Sequence, residues 1–244
     1  SLYQPIYELS PGAHQKKAST PSFGGVGIMI TVWLGVAFFE LWEPRVIWIM
    51  GLVTCSAILG GYDDWVSVKK DRNKGLGARE KFVLQIIIAS VFMYIYSQWI
   101  LPVSIIQGVF YVFVMVGSMN ATNLSDGLDG LLSGLGIVSL IGFVLLCSQL
   151  GFKAGAQLSI VAMISLACFL VYNRYPARIF MGDTGSLAIG ALLSGLAVSV
   201  SNIWVLISLG GVYVIETLSV MIQVVSYKKR QKRVYLMSPL HHHF

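Results

Sequence analysis

Charge is scarce in this sequence. Asp, Glu, Lys and Arg make up 11% of its 244 residues, against about a quarter in an ordinary soluble domain. So little polar surface argues against a soluble fold of this size. Cysteine is scarce too: Cys55, Cys147 and Cys168 all fall inside apolar runs. They have neither the spacing of a zinc site nor an aqueous setting for a disulfide framework, and read as small packing residues. No cleavable signal peptide is visible, because residues 1–20 are polar, and the missing initiator Met points to residues upstream. Acidic charge is the minority sign, 11 Asp and Glu against 17 Lys and Arg. The basic excess flanks apolar segments, which suits anionic lipid headgroups and phosphorylated substrates and speaks against a nucleic-acid partner.

What the sequence has instead is apolar residues, 56% of the total, gathered in runs near the roughly 20 residues that cross a bilayer as helix. Eight such segments are expected: 23–42, 46–62, 82–101, 103–119, 131–150, 156–172, 184–200 and 203–227. Only helices leave no backbone group unpaired in lipid, so the predicted fold is all-α and polytopic. Connections near Glu43, Pro102, residues 151–155 and Ser201 are short, whereas the others are longer and polar. Strict alternation puts every Lys and Arg except Arg45 and Lys153 on the long-loop side. Lys and Arg in short loops stay cytoplasmic, which places the long loops on the cytoplasmic face. The segment 184–200 is short and rich in Gly and Ser; Gly185, Gly190, Ser194 and Gly195 suit close helix packing. The last segment carries Glu216 and Gln223, and a Glu within a crossing is either paired or functional.

Three acidic clusters then fall on that same side: Asp63-Asp64, Asp126-Gly-Leu-Asp129 and Asp183 in Phe180-Met-Gly-Asp-Thr-Gly-Ser186. Carboxylates beside hydrocarbon are expensive and seldom kept without a task. Asp63 and Asp64 close an apolar run, where anionic side chains would oppose the dipole of a helix C-terminus unless a cation is near. Neighbours on a helix point about 100° apart, so one of the pair would hold a metal or phosphate while the other orients or accepts a proton. Asp126 and Asp129, three apart, would share a face if helical. Asn120 and Asn123 add amides suited to a sugar or base. Asp183 would be either the N-cap of the next helix or a Mg²⁺ ligand beside a phosphate-binding helix start, with Phe180 stacking on a base or anchoring at the membrane surface. His241-His-His243 follows Pro239 and Leu240. Three consecutive imidazoles make a poor zinc site, so phosphate binding or proton transfer fits better.

Taken together, Asn120 to Leu131, Phe180 to Leu187, the Asp63-Asp64 pair and Pro239-Leu-His-His-His-Phe244 resemble the phospho-N-acetylmuramoyl-pentapeptide-transferases of the polyprenyl-phosphate hexosamine-1-phosphate transferase superfamily. Gln4-Pro5-Ile6 and the stretch from His14 to Gly25 are similar to that family's first cytoplasmic motif. The resemblance runs essentially end to end, and the triple His favours this branch over its hexosamine relatives. It implies transfer of phospho-MurNAc-pentapeptide from UDP-MurNAc-pentapeptide to undecaprenyl phosphate in the bacterial inner membrane, giving UMP and lipid I, with Mg²⁺ as cofactor. By motif position Asp183 would match the metal-binding aspartate, Asp63 and Asp64 the catalytic pair, and His241 a further catalytic group. Lys17, Thr20, Asn120, Asp126, Leu128, Asp129, Asn173, Phe180 and His242 would match residues lining the nucleotide and phosphate pocket. Family members have ten crossings and form homodimers, so residues 1–244 would be one transmembrane transferase domain without the first and last crossings.

Three positions depart from the family pattern: Ser67 stands where Lys is usual, Tyr7 where Arg is common, and Thr20-Pro-Ser-Phe-Gly-Gly25 replaces Thr-Pro-Thr-Met-Gly-Gly. Two other readings compete. A sister transferase would use UDP-N-acetylglucosamine. A transporter would explain many crossings and Glu216, but its site would lie near the bilayer midplane in broken helices, whereas most carboxylates here lie at the ends of crossings.

Overall fold

The computed structural model describes residues 20–69 and 75–243, with 242 and 243 through their backbone alone. It is all-helical: α1 (Gly24–Phe38), α2 (Pro44–Lys69), α3 (Ala78–Trp99), α4 (Ile105–Ser125), α5 (Leu131–Gln149), α6 (Lys153–Asn173), α7 (Gly182–Ser199), a short α8 (Val205–Leu209), α9 (Gly211–Arg230), and a closing 3-10 turn (Leu240–His243). Among the described residues, α2 to α6 are long and apolar enough to cross a membrane. The chain is a polytopic, all-α membrane protein.

Local chemistry sets the ends. Pro44 opens α2, where its missing N–H costs nothing. The Ser104 hydroxyl accepts from the Gln107 N–H, 3.3 Å, at the start of α4. Glu80 folds back so that its carboxylate accepts from the Gly77 N–H, 3.0 Å, at the start of α3. Gly130 and Gly182 adopt left-handed φ values of 78° and 71° where the chain enters α5 and α7, a conformation open to glycine at little cost.

Every expected segment is helical, with three differences. The segment 203–227 is broken at Gly210 into α8 and α9. α2 runs on past Tyr62 to Lys69, so Asp63 and Asp64 lie inside a helix and not at its C-terminus. α4 runs on to Ser125, and Asp126 to Gly130 form a turn; Asp126 and Asp129 therefore do not share a helical face.

α7 is the centre of the bundle. Every residue from Thr184 to Ser199 is buried, enclosed by α1, α2 and α4. Lipid is as apolar as a leucine side chain, so helices here associate through close packing and not through hydrophobic exclusion. The small residues of α7 permit that closeness. A Cβ on Gly190 would run into the α4 backbone at Ser118 and Met119, and one on Gly60 of α2 into the carbonyl of Asp183. α3, in contrast, turns a broad face of Phe82, Val83, Ile87, Val91 and Tyr94 outward.

Candidate active site

The first turn of α7 has N–H groups with no partner inside the helix, and a carboxylate from α2 takes them. Asp64 accepts from the N–H of Asp183 and of Thr184, each at 3.0 Å, and from the Thr184 hydroxyl at 2.8 Å. An anion at a helix N-terminus also meets the positive end of the dipole. Asp64 thus caps α7. The N-cap residue itself is Met181, so Asp183 is not the cap and its carboxylate is released for other work.

That carboxylate reaches outward. Its Oδ1 accepts from the Asn123 amide at 2.6 Å, and the same amide donates to the Ser186 hydroxyl at 2.9 Å. Its Oδ2 pairs with the ammonium of Lys81, from the first turn of α3. Lys81 also pairs with Asp63 Oδ2 at 3.2 Å, while Asp63 Oδ1 accepts from the Leu76 N–H. The 100° between neighbours on α2 explains the division: Asp64 turns to the α7 backbone and Asp63 to Lys81. Two carboxylates from two helices therefore meet on one positive charge. Magnesium is usually held by one or two carboxylates together with phosphate oxygens, and Asp63 and Asp183 supply carboxylates of that kind. Among the described residues no group of three or more His, Cys, Asp or Glu gathers as a ready-made metal cage.

The turn from Asp126 to Gly130 lies beside this centre. Burial pushes the Asp126 carboxyl well above the usual range, and the charges of Asp183, Asp64 and Asp129 push it the same way. Asp129 accepts from the Ala177 N–H at 3.0 Å, tying the turn to the loop before α7. His241 closes over Gly127: a Cβ there would strike its Nε2. The imidazole is buried, with its backbone N–H donating to Glu216 Oε1 at 3.1 Å and Nδ1 lying 3.4 Å from Glu216 Oε2. Glu216 is thus a paired carboxylate.

A sequence profile described as glycosyl transferase family 4 matches residues 46–201, which hold all of these aspartates. Phospho-N-acetylmuramoyl-pentapeptide-transferases are similar over nearly the full chain. That of Geobacillus thermodenitrificans (strain NG80-2) is 39% identical over 259 residues, covering 99% of this chain and 80% of the relative. That of Staphylococcus carnosus (strain TM300) is 37% identical over 261 residues, covering 99% and 81%. The chain belongs to this family.

The candidate site residues divide by what they touch. Asp63 and Asp183 meet at Lys81, and Asp126, Asp129 and His241 flank them. Asn120 donates to Gln85 at 2.6 Å and to the Val116 carbonyl at 2.8 Å. Asn173 is buried and bonded at both ends of its amide: its oxygen accepts from the Gly130 N–H and the Ser133 hydroxyl, and its nitrogen donates to the Ile179 carbonyl. It stitches α6 to the turn. Phe180 pairs with Pro21 through its N–H and with Gly24 through its carbonyl, which anchors the start of α1 beside α7. Leu128 is half-buried in the turn, and Thr20 begins the described chain. Lys17 and the His242 side chain lie outside the described residues.

Lys81 escapes sequence reasoning, and Ser186 enters it only as the last residue of the motif around Asp183. Lys81 stands among Arg79 and Glu80 in a basic loop and looks like topology; its place at the mouth of an apolar run is the one available signal. Asn123 was legible as an amide near Asp126, but not as the donor that aims Asp183.

Proposed function

We propose that this chain transfers phospho-MurNAc-pentapeptide from UDP-MurNAc-pentapeptide to undecaprenyl phosphate, releasing UMP and forming lipid I. The observation that carries the reading is the meeting of Asp63 and Asp183 on the Lys81 ammonium. Joining two polyanions needs fixed positive charge aimed at oxygens that gain negative charge, and Lys81 supplies one such charge. When bound, Mg²⁺ would be held by Asp183 with Asp63 and would neutralise pyrophosphate oxygens as a Lewis acid.

The reaction is written as one in-line displacement. An oxygen of the lipid phosphate bonds to the phosphorus that carries the sugar, and the bond from that phosphorus to the bridging oxygen breaks. UMP leaves with the electron pair. A phosphate monoester loses its last proton near pH 6, so Asp63 has only a residual proton to accept. Asp64 holds the start of α7, and thereby the Asp183 backbone, in register. Asp126, Asp129 and His241 line the nucleotide and phosphate side, with Phe180, Leu128, Asn120 and Asn173 shaping its walls. Basic loops on the long-loop side support a site facing the cytoplasm of a bacterial inner membrane. The working unit is proposed to be a homodimer.

The test is conversion of radiolabelled UDP-MurNAc-pentapeptide by purified protein with undecaprenyl phosphate, with and without Mg²⁺. Lipid-linked label and equimolar UMP that require Mg²⁺ support the reading. Product from UDP-N-acetylglucosamine instead, or a phosphorylated enzyme trapped with the UDP substrate alone, overturns the substrate or the single step respectively.

A further inference from the structure

α9 carries polar side chains where lipid would favour none. Glu216, Ser219, Gln223 and Ser226 recur every three or four residues, so they form one stripe along the helix. Each is engaged by the chain that follows. After Arg230 the backbone reverses at Gln231, whose φ is 52°, and runs back along α9. Ser226 donates to the Lys232 carbonyl at 2.9 Å. Gln223 takes three bonds: its oxygen accepts from the N–H of Val234 and of Tyr235, each at 3.0 Å, and its nitrogen donates to the Tyr235 carbonyl at 2.9 Å. The Ser219 and Ser238 hydroxyls lie 3.5 Å apart, and Glu216 ends the row at His241.

We infer that this stripe is a positioning device: it straps the returning segment 231–241 to α9 and so sets His241 over Gly127, beside Asp126. Val234, Leu236 and Met237 in this segment are exposed. A polar group in an apolar setting loses most when left unpaired, so strap and stripe hold one another. The stripe residues act through His241 and touch no substrate. The inference rests on the transferase reading, in which His241 belongs to the pocket.

The experiment uses the full chain in detergent, with Gln223→Leu removing the clamp at an apolar-tolerant site. Two measurements are made. Diethyl pyrocarbonate modification of His241, mapped by mass spectrometry, reads the strap without any turnover; Gln223→Leu should raise its rate at least about tenfold as local opening becomes easier. Turnover reads the consequence. A displaced group costs up to about 100-fold in rate, so kcat should fall by about 10- to 100-fold for Gln223→Leu. The double variant with His241→Ala should be no slower than His241→Ala alone, because residues acting as a unit are non-additive. Glu216→Gln, which keeps an acceptor for the His241 N–H, should retain more activity than Glu216→Leu. Unchanged His241 protection in Gln223→Leu, or rate losses that multiply in the double variant, would overturn the inference. Wild-type protein without transferase activity would sink the transferase reading instead, and the modification rates would still decide the strap.

Discussion

Replacing Asp64 and Asp63, adjacent in sequence, should give different phenotypes. Asp64→Ala strips three hydrogen bonds from the first turn of α7 and should destabilise the protein by about 1–3 kcal/mol, the cost of stranded buried donors. Thermal unfolding in detergent measures it. Asp63→Asn and Asp183→Asn keep size and shape, so both proteins should fold and insert with wild-type melting behaviour yet lose nearly all UMP release. Near-normal turnover in Asp183→Asn would remove that residue from the metal role. Asp126 differs again. Its carboxyl is held well above the ordinary range by burial and by three neighbouring carboxylates, so its ionised form is the penalised one. The penalty is absent at low pH, where the folded and unfolded forms are both protonated, and sets in as pH rises above the ordinary carboxylate value. In metal-free buffer at neutral pH, Asp126→Asn should therefore raise the melting temperature, with the advantage vanishing in acid; a lower melting temperature at neutral pH would contradict this. The sequence made the aspartates legible because each is costly beside hydrocarbon. It could not divide their labour, since that follows from which carboxylate faces an N-terminus 120 residues away. Lys81 was hidden for a related reason: a lysine in a basic loop satisfies topology whether or not it reaches the site.

α7 shows what helix packing does with small residues. Its short, Gly- and Ser-rich stretch makes it a weak candidate for a crossing, yet the same residues let it enter the middle of the bundle, where it is buried on all sides. Gly190→Leu would force the α4 backbone away and should cost about 1–3 kcal/mol or more through overpacking. Because α4 also carries Asn123, the shift should lower turnover as well; retained stability and rate would refute the close approach. Periodicity and hydropathy found every long helix, since the bilayer length dictates the runs, but not the short α8 as a separate element. They missed the ends. α2 continues through two aspartates because Asp63 and Asp64 find partners in Lys81 and the α7 N-terminus, so polarity there does not stop the helix. The break at Gly210 was not legible, and Glu216 and Gln223 stood out without their partners, which lie in the polar stretch after the last segment.

The three acidic clusters converge at one end of the bundle, as their common side predicted, and the links are physical. Lys81 joins α2, α3 and α7; Asn123 joins α4 to α7; Asp129 joins the Asp126 turn to the loop before α7; and Glu216 brings the C-terminal turn over Gly127. Family membership and this geometry agree on a phosphotransferase, while the cation remains part of the proposal. Manganese, a spectroscopically visible stand-in for Mg²⁺ with similar oxygen preference, offers the decisive measurement. Titrating Mn²⁺ into the wild type and into Asp63→Asn, Asp183→Asn and Asn123→Ala, followed by electron paramagnetic resonance, counts and ranks the sites. One ion per chain is predicted, weakened at least about tenfold by either aspartate substitution, the scale of losing a ligand or its support, and less by Asn123→Ala, which removes an orienting partner. Undiminished Mn²⁺ binding in both aspartate variants, or two ions that each answer to a different aspartate, would contradict a single centre shared by α2 and α7.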